Sequence, residues 1–186
     1  MDEKKIEKGA RLILEGIGVD LKKRKDIAST PRRIADMYKE VLNGEFQDPA
    51  KELEVILEQK HDEIILVKNI PLYSLCEHHL VPFVGKASVA YIPDNRITGL
   101  SKIVRVVEIL SQRLQVQERL TTEIADVVME RLKPKGVMVV IEAEHLCMSM
   151  RGVKKPGALT VTSVVRGVFR SNQKTRQEGL SLIYSS

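Results

Sequence analysis

Tryptophan is absent from this 186-residue chain, and aromatic residues make up only 4% of it. A platform of stacked rings for single-stranded nucleic acid is therefore poorly supplied. No apolar run approaches the roughly 18 residues that span a bilayer. The opening MDEKKIEKGA carries acids where a secretory signal needs an apolar core. These absences exclude a membrane-spanning protein and leave the cytoplasm as the expected compartment. No internal repeat or low-complexity stretch is present. With 43% hydrophobic and 30% charged residues, the balance is that of a globular chain, and the length suits about one domain.

What is present begins with charge. The formal net charge is +5, but it is unevenly placed: residues 151–186 hold seven basic residues and a single acid, Glu178. The excess thus belongs to the last fifth of the chain. A localised basic segment suits a small polyanion, or an acidic neighbouring subunit, at least as well as a long nucleic acid.

Residues 3–17 place Ile6, Ala10, Ile13, Leu14 and Ile17 at helical spacing. Thr30-Pro31 reads as a helix start, with Thr30 as N-cap, and Ile34, Met37, Tyr38, Val41 and Leu42 form its stripe. Residues 1–60 are expected to be a helical N-terminal region and 61–186 the main domain. Strands are expected over 63–70 and 84–92. A helix capped by Ser101 carries Ile103, Val106, Val107, Leu110 and Leu114, and a second begins near Thr121. Further strands follow at 137–148 and 159–169. The order strand-strand-helix-helix-strand-strand implies an α+β domain, an antiparallel sheet with helices on one face.

The cysteines and histidines are clustered. Cys76-Glu77-His78-His79 holds one cysteine and two of the four histidines; His145-Leu146-Cys147 holds the other cysteine and a third. Cys76-x-x-His79 can turn back onto one metal from a loop. Along a strand over 137–148, side chains alternate, so Val137, Val139, Ile141, Ala143, His145 and Cys147 share a face. An apolar row that ends in imidazole and thiol suits a zinc site at a sheet edge. Five candidate ligands exceed the three of a catalytic zinc, and spare imidazoles there are natural acids or bases. The alternatives are a closed four-ligand structural zinc and a Cys76–Cys147 disulfide. The disulfide is not expected in a reducing cytosol and leaves the histidines unexplained.

Two further signals are weaker. Ser101, Lys102 and Arg105 would place two cations at a helix N-terminus, an anion site, although on this local pattern a plain Ser cap with solvated basic residues is the favoured reading. Gln115 to Arg119 reads as a polar connection. Within it, Glu118 could accept two hydrogen bonds from an amidine-like edge such as that of guanine. Arg151 and Gly152 follow the metal strand, where Gly152 could let the backbone approach a ligand.

Taken together, Cys76-Glu77-His78-His79, Gly99-Leu100-Ser101-Lys102, Gln117-Glu118-Arg119-Leu120, His145-Leu146-Cys147 and Arg151-Gly152-Val153 resemble the GTP cyclohydrolase I family. Thr30-Pro31-Arg32-Arg33 and Thr160-Val161-Thr162-Ser163 also match, and the resemblance runs from about residue 5 to the end. It implies a tunnelling fold, an antiparallel four-stranded sheet with two helices between its second and third strands. It implies zinc on Cys76, His79 and Cys147, with His78 and His145 as acid/base residues. Glu118, helped by Gln117, would hold the guanine edge; Lys102, Arg105, Arg151 and Arg33 the triphosphate; Ser101 would act near the ribose. The implied reaction is hydrolytic opening of GTP at guanine C8, loss of that carbon as formate, and rearrangement to 7,8-dihydroneopterin triphosphate, the first step of tetrahydrofolate biosynthesis. The family assembles as a homodecamer of two pentameric rings. The long N-terminal extension of regulated eukaryotic members is absent, so feedback through such a segment is not expected. Gly179 stands where the family usually has a bulky aromatic.

Two competing readings remain at this point. One is a zinc hydrolase or deaminase on another purine, although neither cysteine has the Cys-x-x-Cys partner that deaminases usually carry. The other is a zinc-stabilised nucleic-acid-binding module, which the scarce aromatics and localised charge disfavour.

Overall fold

The computed structural model describes residues 1–54, 56–58 and 60–185, with the backbone alone at 56 and 58. The chain divides into two compact units, Met1–Asn43 and Gly44–Ser186.

The first unit is a pair of helices, α1 (Glu3–Gly16) and α2 (Thr30–Val41). Asp2 caps α1 by accepting from Lys5 N at 3.1 Å. The cap position of α2 is Ser29, one residue earlier than the sequence suggested, so Thr30 lies inside the helix beside Pro31. The pair buries Ala10, Pro31 and Ala35. The Glu3 carboxylate joins the helices by pairing with Arg32 at 2.9 Å and Lys39 at 2.6 Å. Much of the expected apolar stripe of α1 stays open: Ile13 is 68% and Ile17 71% exposed.

The second unit begins with short 3₁₀ turns. The helical region expected over 1–60 thus gives way at residue 43 to turns that belong to the larger unit, because Leu53 is fully buried in its core. A short ribbon pairs β1 (Ile56–Glu58) with β4 (Arg96–Thr98). The main sheet contains β2 (Ile65–Cys76), β3 (Pro82–Ile92), β6 (Gly136–His145) and β7 (Leu159–Gly167), all antiparallel to their neighbours. Between β3 and β6 run α3 (Leu100–Ser111), the two-residue strand β5 (Leu114–Gln115) and α4 (Gln117–Leu132). The expected order of elements is therefore built. The sheet has five strands rather than four, because β5 adds a parallel pair to β2 at Leu75/Leu114 and Cys76/Gln115.

One sheet face packs on α3 and α4. Val137, Val139, Ile141 and Ala143 of β6 meet Ile103, Val106, Val107 and Leu110 of α3 and Leu120, Ile124, Val128 and Leu132 of α4, all essentially buried. Each such side chain contributes about 1.5–3 kcal/mol when fully withdrawn from water. Helices are not confined to that face. After the turn α5 (Leu146–Ser149), the C-terminal α6 (Val168–Ser171) and α7 (Gln173–Tyr184) form a second cluster in which Phe169, Leu180 and Ile183 meet Ala90, Met138 and Val140.

Gly179 belongs to this second cluster. A Cβ there would lie 2.9 Å from the Phe169 ring and 3.2 Å from the Met138 methyl. The Phe169 ring takes up the space next to the helix, which gives a packing reason for a residue without a side chain.

Candidate active site

The hairpin between β2 and β3 turns through residues 77–81. Cys76 N donates to Val81 O at 2.9 Å, and Leu80 N to Cys76 O at 2.8 Å. Leu80 closes the turn with φ +53°, in the left-handed region that few non-glycine residues adopt. Cys76 is buried at the end of its strand, while His78 and His79 are exposed on the turn.

Cys147 reaches the same place by a different route from the one expected. β6 ends at His145, and Leu146–Ser149 is a helical turn. Strand alternation therefore carries Val137 through His145 but not Cys147, which is swung in by the helical turn. The ligand atoms of Cys76, His79 and Cys147 all lie within 4.8 Å of one another. Cys76 Sγ is 3.8 Å from His79 Nδ1. Tetrahedral zinc with bonds of about 2.0–2.3 Å sets its donors roughly 3.3–3.8 Å apart; Cys76 and His79 stand at that spacing, and with Cys147 they form a three-donor group that could hold a metal and leave a fourth position. His78 Nδ1 is also 3.8 Å from Cys76 Sγ but lies outside the three-donor group. Burial first, and then the neighbouring Cys76, push the Cys147 thiol above its ordinary range, with Arg151 pulling the other way. A cation between the two sulfurs relieves that opposition.

His145 is the most firmly held of the expected acid/base residues. Its ring stacks on Phe83, its partner across the sheet, with centroids 4.7 Å apart and planes 9° from parallel. Its Nε2 lies 2.8 Å from Gln117 Oε1. The Gln117 amide nitrogen donates to Ile141 O, Thr160 O and Thr162 Oγ1 at 3.0–3.1 Å. Two of these partners are carbonyls and can only accept, which fixes the amide orientation and turns its oxygen to the imidazole. His145 Nε2 is thus the donor, and Nδ1 of the neutral ring is free to accept a proton. Burial lowers the His145 pKa, while the Glu118 carboxylate pulls it back up.

Gln117 is buried, and its amide protons are directed into the protein. Its oxygen faces His145. Glu118 is exposed beside it and keeps its carboxylate available. Both residues sit in the first turn of α4, which starts at Gln117 and not near Thr121. The polar sequence hides the helical period there, but Leu120 N already bonds Val116 O at 3.0 Å. Glu118 in that turn is also favourable to the helix dipole.

Ser101, Lys102 and Arg105 lie on the first turns of α3. Gly99 is the cap residue of this helix, and Ser101 is a helical residue rather than the cap. Lys102 Nζ pairs with Glu52 at 3.1 Å, and Arg105 with Glu108 at 3.8 Å. Among the described residues, no hydrogen bond or ion pair joins these three to the cysteine–histidine cluster. Arg151 is exposed near Cys147, and the adjacent Gly152 has φ +64°, so conformation is a sufficient reason for glycine there. Arg33 is exposed on α2 in the first unit.

Two residues escaped the sequence reading of roles. Arg119 and Glu77 form an ion pair that joins α4 to the metal turn. Both lie inside quoted motifs, but nothing in their spacing reveals that they meet.

Comparison with known proteins bears on this arrangement. A family model described as GTP cyclohydrolase I matches residues 6–184. The chain is 57% identical to a protein named GTP cyclohydrolase 1 from Carboxydothermus hydrogenoformans, over 98% of this chain and 95% of that one. It is 58% identical to its counterpart from Pelotomaculum thermopropionicum, over 98% and 97%, and 57% identical to that of Caldanaerobacter subterraneus, over 100% and 98%. Among solved structures, an archaeosine synthase QueF-Like in the apo form aligns with a TM-score of 0.46 at 16% identity, over 58% of this chain and 97% of that one. The match spans nearly the whole chain, including both cysteines, the paired histidines and the first turn of α4, and the chain belongs to the GTP cyclohydrolase I family.

Proposed function

We propose that this chain converts GTP and water to 7,8-dihydroneopterin triphosphate and formate, opening tetrahydrofolate biosynthesis in the cytoplasm. The observation that carries the proposal is the convergence of Cys76, His79 and Cys147 beside an imidazole that Gln117 holds in one tautomer. Zinc held by these three residues supplies, when bound, a water acidic enough to act near neutral pH. Family membership supports GTP as the substrate.

The chain's own residues do the rest. Glu118 accepts hydrogen bonds from the N1–H and 2-amino group of guanine, the two donors of that edge. His78 and His145 transfer protons: the first from the exposed turn, the second through Nδ1 from a stacked and oriented ring. Protonation of the imidazole ring nitrogen next to C8 makes that carbon electrophilic, and later proton transfers serve ring opening and rearrangement. Lys102, Arg105 and Arg151 hold the unreactive triphosphate, assisted by Arg33 from a neighbouring subunit, and Ser101 acts near the ribose. Anchoring a non-reacting group directs binding energy to the other end of the substrate.

The reading includes a homo-oligomer, a decamer of two pentameric rings. Support comes from the open apolar residues Ile13 and Ile17 on α1 and Leu159 and Val161 on β7. Among the described residues β7 also ends the main sheet without a further strand, and an unpaired edge of this length invites pairing with another chain. No helix among the described residues is long and apolar enough to cross a membrane.

The test is formate release. Zinc-loaded protein given GTP yields one formate per turnover and a product that becomes fluorescent after oxidation; a chelator stops both. A metal-replete sample that releases no formate from GTP, or that releases ammonia from a purine panel instead, overturns the proposal in favour of a purine hydrolase or deaminase.

A further inference from the structure

Arg119 stands on the third residue of α4 and has no part in the reaction as described. Its guanidinium nonetheless makes three hydrogen bonds. Nε donates to Gln115 Oε1 at 2.9 Å, and Nη2 donates to Leu114 O at 2.9 Å and to the Glu77 carboxylate. These partners belong to β5 and to the turn that carries His78 and His79. The same seam is held by backbone: Glu77 N donates to Gln115 O at 3.0 Å, and Cys76 pairs with Gln115 in the sheet. Gln115 is buried, and its amide nitrogen donates to Leu110 O at 3.1 Å and to Glu123 at 2.8 Å. Arg119 therefore rests on a fixed platform. The second oxygen of Glu77 lies 3.8 Å from His78 Nε2.

A turn of five residues with a left-handed leucine has no core of its own. Glu77, His78, His79 and Leu80 are all exposed, so burial does little to fix where His79 points. Backbone bonds from Glu77, His79 and Leu80 shape the turn, but they do not by themselves orient the His79 side chain. Among the described residues, the guanidinium, planar and rigid, is the one side chain bonded to both the turn and its platform.

We propose that Arg119 is a positioning residue for the metal centre: by clamping Glu77 against β5, it fixes the turn that delivers His79. The proposal rests on the metal-centre reading above. Partners that orient metal ligands typically matter by 10–100-fold in affinity, whereas an ordinary half-exposed ion pair alters little.

The experiment uses the full chain loaded with zinc: wild type, Arg119→Ala, Arg119→Lys, Glu77→Gln, and Arg119→Ala combined with Glu77→Gln. Zinc release into a chromophoric chelator is timed, and the visible absorption of the cobalt(II)-substituted proteins is recorded alongside thermal melts. Arg119→Ala is expected to release zinc about tenfold or more faster and to shift the cobalt bands. Arg119→Lys should be intermediate, since an ammonium can keep Glu77 but not also both β5 acceptors. The double variant should release no faster than the faster single, because both changes break one clamp. Unchanged release and unchanged cobalt bands in Arg119→Lys and Glu77→Gln overturn the proposal, as do additive effects in the double variant. These two conservative variants carry the test should Arg119→Ala not fold. Failure of the wild type to retain zinc refutes the metal-centre reading instead, and the proposal with it.

Discussion

Replacing Gln117 with leucine separates two roles that the residue could have. The amide makes three donor contacts of 3.0–3.1 Å and accepts one of 2.8 Å from His145. Leucine has similar bulk and none of these bonds. A typical internal hydrogen bond contributes about 1 kcal/mol net, and buried groups left unpaired cost about 1–3 kcal/mol. The two amide hydrogens shared among three acceptors and the one accepted bond make at most three full bonds; their loss, offset in part by an added apolar side chain in a fully buried position, amounts to about 3 kcal/mol. Urea unfolding at fixed protein concentration reads this directly. With a slope of about 2 kcal/mol/M, the midpoint should fall by roughly 1.5 M. His145 would keep its stack on Phe83 but lose the acceptor that fixes its tautomer, so kcat for formate release should fall about 100-fold, at the lower end of what acid/base groups supply. Zinc content should not change, since Gln117 bonds none of the three ligands. Glutamate at the same position should be worse than leucine, because a carboxylate would face three acceptors. A stability loss under about 0.5 kcal/mol with kcat intact would refute the reasoning. A raised KM with unchanged kcat would return Gln117 to the guanine edge that the sequence suggested.

Two other perturbations follow from the packing. Gly179→Ala replaces a poor helix former with the best one, a gain of about 1 kcal/mol, yet the new methyl meets the buried Phe169 ring at 2.9 Å and Met138 at 3.2 Å. Overpacking of about 1–3 kcal/mol should win, so thermal melts should show a lower Tm; a rise would mean that Phe169 yields freely. Glu52→Gln frees Lys102 from a 3.1 Å ion pair between partly exposed side chains. A pair of this kind is worth up to about 1 kcal/mol, so KM for GTP should fall by up to about fivefold while kcat holds; a higher KM would show that Glu52 positions the lysine.

The sequence by itself determined the element order and the chemistry. Alternating apolar residues along 137–143 specified a strand and its buried face, and the helical stripes of 103–110 and 124–132 specified what would cover it. Clustering of both cysteines beside histidines pointed to a group able to hold a metal, because soft ligands are rare and rarely adjacent, and the structure brings Cys76, His79 and Cys147 together. Local pattern failed where polar residues carry the structure. The first turn of α4 reads as loop because Gln117, Glu118 and Arg119 are polar and leave no apolar stripe there. Cys147 was assigned to a strand because alternation cannot announce its own end at His145. Only the tertiary structure decided that Gln117 serves His145, that Lys102 pairs with Glu52 from 50 residues away, and that Arg119 reaches Glu77 across 42. Those partners are distant in sequence, and a hydrogen bond between them leaves no period to read. They meet because the β2–β3 hairpin and the crossover through α3 and α4 bring Cys76 beside Gln115, and the fold, not the spacing, sets that distance.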